Sequence, residues 1–197
     1  MILPFEPYNP SWKDQFYTIK QELDKLLLPL AASVDHIGST SVKGLSAKPI
    51  IDILIGLNDE KDLDKVPALL ANRQYVYYEK YNADMPYRRF FVLLKEDPNK
   101  LGLPMRIGTS DEIPDRLNDH ALRTAHIHVI PKRSEHWLRH IAFREFLRTH
   151  PTVKEQYQAL KEALIQQEWR DGNDYNIGKD AFLKVEEKRA IKWYLSQ

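Results

Sequence analysis

Residues 36–57, HIGSTSVKGLSAKPIIDILIGL, hold the residue types with the most chemical use in this 197-residue chain. Gly38, Ser39, Thr40 and Ser41 make a small-residue turn, and the apolar run that follows, from Ile50 to Ile55, carries a single acid, Asp52. A Gly-Ser turn brings backbone N–H groups and hydroxyls close to a phosphate. A carboxylate on a neighbouring strand can hold a divalent metal beside it. The layout predicts nucleotide chemistry, with phosphate at Gly38, Ser39, Thr40 and Ser41 and metal at Asp52. The competing reading of the turn is an ordinary strand-to-helix connection with capping serines. For Asp52 it is a structural pair with Lys48 or Arg89, or a backbone cap, since an acid in an apolar strand is costly unless paired or metal-bound.

His126 and His128 alternate at i, i+2 in HIHVI, so on a strand they face the same side. Together with Asp52 they would suit Zn²⁺, Mn²⁺ or Fe²⁺ better than the all-oxygen environment Mg²⁺ prefers. Either could instead act as a general base or donate to a phosphate. The alternative is one histidine bonded structurally and the other partly exposed. HIHVI is not the motif of the histidine-triad hydrolases, because Ile130 stands where a third alternating histidine is needed. His36 lies at the edge of the motif. His136 and His140 share one helix face, and the nearby Arg133, Arg139 and Arg144 mark that face as solvated.

The elements that must position these groups follow from periodicity and punctuation. Asn9-Pro10-Ser11 starts a helix in which Trp12, Phe16, Ile19, Leu23, Leu26 and Leu30 recur at helical spacing. Strands are expected at 34–37 and 49–57, a helix at 62–72, and further strands at 75–80, 88–94 and 125–131. Residues 97–119 are rich in Pro, Gly, Asp and Asn and read as loop. Helices are expected at 135–149, 152–169 and 175–195. Strands in the middle and helices at the end argue for α+β, a mixed sheet with helices packed on it and a C-terminal helical segment. One domain over 1–197 is expected, an αβ core at 1–131 followed by a helical segment at 132–197.

Composition narrows the function classes. With no cysteine, disulfides, thiolate zinc sites and cysteine nucleophiles are excluded. A net charge of +1 gives no general case for nucleic-acid or membrane binding. The start MILPFEPYNP lacks the basic and apolar regions of a signal peptide, and no apolar run reaches the ~18 residues of a membrane span. A cytoplasmic protein is expected. Oligomeric state is not legible.

The 36–57 segment resembles the GrpB family of small bacterial proteins (uncharacterised family 0157), placed in the nucleotidyltransferase superfamily. The likeness extends to FEPYNPSWKDQF, HIHVI, FREFLRTHP and the late Tyr-x-x-x-Lys at Tyr175 and Lys179, and so covers nearly the whole chain. It implies a nucleotidyltransferase-like mixed sheet. It also raises Lys48, Arg89, Arg144, Lys161 and Lys179 as phosphate- or nucleotide-binding residues, since Lys and Arg clamp triphosphates. Tyr157 and Tyr175 match family positions too, and packing between helices is the simpler reading of each. Two departures stand out. Lys43 replaces the proline common in that turn. The superfamily motif has two acids around one hydrophobic residue, whereas here Ile50 or Leu54 stands where the second acid would be. The resemblance implies an enzyme that binds a nucleoside triphosphate with Mg²⁺ or Mn²⁺ (or Zn²⁺). It would transfer a nucleotidyl or phosphoryl group to an acceptor the sequence does not name, using Asp52, His126 and His128. A non-catalytic phosphate-binding module and a metal-dependent hydrolase are the alternatives.

Overall fold

The computed structural model describes residues 4–71, 73–167 and 172–197, the side chains of 172–176 excepted. Asn9 Oδ1 accepts the Ser11 N–H at 3.0 Å and starts α1 (Ser11–Leu26), which buries Trp12, Phe16, Ile19 and Leu23. Leu30 does not continue that helix. Pro29 offers no N–H to the ladder, and the chain tightens into a 3₁₀ turn at Leu28–Leu30 and leaves through Ala31 at φ 45°. β1 (Ser33–Ile37) leads into the Gly-Ser turn and β2 (Ile51–Leu57) leaves it.

The helix expected at 62–72 is instead a 3₁₀ segment, Glu60–Lys65, followed by a short α2 (Val66–Leu70). Asn72 lies outside the described residues. β3 (Tyr75–Tyr78) and β4 (Arg89–Leu94) come next. The 97–119 loop contains β5 (Arg106–Ile107), whose two residues are too few to show a period. β6 (Arg123–Pro131) precedes α3 (Glu135–Thr149), α4 (Pro151–Ile165) and α5 (Gly172–Tyr194). Ser134 Oγ caps α3 by accepting the Trp137 N–H at 3.2 Å. The helix expected to reach Trp169 ends at Ile165, and Trp169 is outside the described residues.

The result is a mixed α+β fold with a six-stranded sheet in the order β1-β2-β6-β4-β3-β5. β2/β6 and β3/β5 are parallel, and the remaining pairs are antiparallel. Ile51, Ile53 and Ile55 join Ile127, Val129 and Phe91 in the core under α1 and α2. The other face carries Asp52 directly opposite His126, and Leu54 opposite His128. On that face Ile37, Leu54, Ile130 and Ile141 seat α3. Farther along, Val76, Tyr78, Val92 and Leu94 are covered by Leu103, Ile107 and Leu117 of the long loop. Asp52, His126 and His128 lie in the gap between these two apolar clusters.

The core under α1 holds the sheet from below, and Ile53 is fully buried in it. Ile53→Ala should cost about 2–5 kcal/mol in urea unfolding, because the closely packed surroundings collapse only partly into the space left.

Candidate functional site

Gly38 takes φ 68°, a conformation side chains rarely adopt. A Cβ there would collide with the Asp52 carboxylate, which packs directly against the turn. The turn and the acid are therefore one unit: β1 pairs Ile37 with Asp52, and the chain reverses over that carboxylate. Asp52 Oδ1 accepts from His126 Nδ1 at 3.2 Å, while Arg123 Nη1 donates to His126 Nε2 at 3.1 Å. The two partners together fix the Nδ1–H tautomer. Arg123 is itself tied to the Leu117 carbonyl, so a loop carbonyl, a guanidinium, an imidazole and a carboxylate stand in series.

Lysines from three elements gather near Ser39 and Asp52. Lys161 on α4 is only 2% exposed. It donates to Ser39 Oγ at 3.3 Å and to the Ser46 carbonyl, with its Nζ 4.9 Å above the Tyr157 ring. Among the described residues no carboxylate lies within ion-pair distance of it. Burial, and then the charge of Lys179, push its ammonium down to about 7. Lys48 and Lys179 are lowered to about 8, each chiefly by burial, with Asp52 opposing the shift in both. Tyr157 is buried between helices, stacked on Phe182 at 5.4 Å. The Tyr175 side chain lies outside the described residues.

His128 shares the face of His126 but sits toward α3. Arg88 Nη1 donates to its Nδ1 at 3.4 Å, and its ring centroid is 5.7 Å from that of His140. Burial first, then the charges of His140 and Arg88, hold His128 well below its ordinary value. His136 and His140 are therefore not on a solvated face. His136 stacks flat on Tyr87 at 3.4 Å, and α3 turns this side onto the sheet because Ile141 and Trp137 flank it there.

The donor set does not make a protein-built metal cage. Both nitrogens of His126 are engaged, as is Nδ1 of His128, and the described residues contain no group of three His, Asp or Glu placed to share an ion. Among the described residues Asp52 is the carboxylate packed against the turn, and it is a third exposed.

The structure thus brings Gly38, Ser39, Lys48, Asp52, His126, Lys161 and Lys179 together. Arg89 lies elsewhere. It points to the α1 face of the sheet, pairs with Asp64 at 2.7 Å and donates to the Pro86 and Arg88 carbonyls. Strand alternation decides this, since neighbouring Arg88 takes the other face. Thr40, Ser41 and Arg144 turn away toward the outer edge of β1. Thr40 Oγ1 bonds His36 Nε2 at 2.9 Å, and Arg144 Nη1 donates to the His36 carbonyl at 3.0 Å. Sequence reasoning passed over Arg123 and His120. Arg123 stands three residues before His126, a spacing with no motif attached, and His120 Nδ1 is buried with no partner among the described residues.

The GrpB protein family model matches residues 4–189. The UPF0157 protein YqkA of Bacillus subtilis is 29% identical over 94% of this chain, and the chain spans 46% of that relative's length. The glutamate-rich protein GrpB of Alkalihalophilus pseudofirmus is 26% identical, over 89% of this chain and 88% of its own. A crystal structure of the conserved protein GrpB from Enterococcus faecalis superposes with a TM-score of 0.74 at 31% identity, covering 97% of this chain and 99% of that one.

Burial, foremost among several causes, drives His120 and His140 to about 3 and His36 to about 4, from 6.5. A group depressed by folding favours the native state fully above its unfolded value and loses that advantage as the pH falls toward the folded one. Urea midpoints should therefore drop between about pH 6.5 and pH 3. A His140→Phe variant should show a shallower drop than wild type over the same window.

Proposed function

From the premise that the chain belongs to the GrpB family, we propose that it is a nucleotidyltransferase-like protein binding the phosphates of a nucleoside triphosphate between the Gly-Ser turn and Asp52. The observation that carries this reading is Lys161. Among the described residues this cation, 2% exposed, is bonded to a hydroxyl and a carbonyl and to no carboxylate, so no ion pair replaces its lost hydration. A phosphate beside Ser39 supplies that charge. The backbone of the turn and the Ser39 hydroxyl add donors, and Lys48 and Lys179 flank the same space.

Transfer of a nucleotidyl or phosphoryl group to an acceptor is the chemistry the family likeness suggests, and here it falls to Asp52. His126 serves Asp52 by orienting it rather than acting as a base, because Arg123 fills its other nitrogen. A divalent ion would arrive on the phosphates, with Asp52 as its single protein carboxylate. A second reading, a phosphate-binding module without turnover, is favoured by one specific fact: Leu54 and Ile50 leave Asp52 the only acid on β2.

Titration calorimetry with ATP, GTP, CTP and UTP, with and without Mg²⁺, tests this. At least one should bind, and Lys161→Met should weaken it by about tenfold or more. Failure of all four to bind folded protein would overturn the reading. Affinity should also fall as the pH rises above about 7, where Lys161 loses its proton. Asp52→Asn separates the two readings. It abolishes release of pyrophosphate (nucleotidyl transfer) or nucleoside diphosphate (phosphoryl transfer) if the protein is an enzyme, whereas the module releases neither even with Asp52 intact.

A further inference from the structure

The Gly-Ser turn has a second side. Between α1, the outer edge of β1 and the junction of α3 with α4 lies a cleft of about 930 Å³. Its cations come from every wall: Lys13 and Lys20 on α1, Lys43 on the turn, Arg144 and Arg148 on α3, and Lys154 on α4. The acids nearby are already committed. Asp35 pairs with Arg144 at 3.2 Å, Glu145 with both Arg144 at 2.7 Å and Arg148 at 3.0 Å, and Asp24 with Lys20 at 2.9 Å. Lys13, Lys43 and Lys154 make no ion pair among the described residues. Lys154 reaches only the Lys43 carbonyl, at 3.5 Å.

The two arginines are fixed before any ligand arrives. Arg144 donates to the His36 carbonyl at 3.0 Å, and Arg148 donates to the Ser41 carbonyl at 2.8 Å. Oriented guanidiniums at the floor and three uncommitted ammonium groups on separate walls form a receptor for several negative charges at once. The volume suits a small molecule. Asp24, four residues beyond Lys20 and paired with it at 2.9 Å, ends the basic run along α1, so the cleft does not continue there as a stripe that a nucleic-acid chain could follow. We propose that this cleft is a second anion site, taking a compact phosphorylated ligand with at least two phosphate groups. It is distinct from the Lys161 hollow and shares with it only the turn.

Tripolyphosphate is the probe, followed by ¹⁵N amide shifts and calorimetry. Amides of residues 13–20, 41–44 and 148–154 should shift together. The triple variant Lys13→Ser, Lys43→Ser, Lys154→Ser should lose those shifts and bind about tenfold or more weakly, with unchanged circular dichroism. Lys161→Met should leave them in place, and added salt should weaken them in the wild type. No shift in these segments at millimolar probe overturns the proposal. So do shifts confined to residues around Ser39 and Asp52, or shifts that persist in the triple variant.

Discussion

A carboxylate on a strand covered on both faces is the constraint on which the arrangement depends. β2 is apolar on either side of Asp52, and a carboxylate two-thirds buried there is costly unless its neighbours satisfy it. The neighbours answer it on three sides. β6 places His126 directly opposite, the turn after β1 carries a glycine because nothing larger fits over the carboxylate, and lysines arrive from the 42–50 loop and from α5. Moving Asp52 by one residue would send it into the α1 core and leave these groups facing nothing.

Burial depresses the lysines of this region below their ordinary value. Lys161 is the extreme case, close to losing its proton at neutral pH. The same effect appears in the histidines, which burial keeps uncharged where Arg88, Arg123 and Arg139 already crowd the face.

Much of the fold was legible in the sequence because apolar periods and turn residues were strong. The α3 boundaries and the strand carrying HIHVI followed directly from them. What failed had local causes. Pro67 and the short apolar run made a weak helix look longer than Val66–Leu70, and two-residue β5 had no pattern to read. The sites were partly legible. Asp52, His126, Lys161 and Lys179 were named from type and resemblance and do lie together. Arg89 and Arg144 were named the same way, yet strand alternation and helix placement carry them to other surfaces. Residue type says what a side chain can hold, while only topology says which face it meets. That Ser39 meets Lys161 while Thr40 and Ser41 line the cleft beside α1 could not be read from the spacing of the turn.

The outer edge of β1 has a consequence of its own. A sheet with two free borders invites another chain to add a strand. Here β5 ends one border after two residues. On the other, Arg144 occupies the His36 carbonyl, and the positive charges around it would repel a second copy of the same edge. The side chains that give the cleft its charge therefore also set like charges against any second β1 edge brought up to this one.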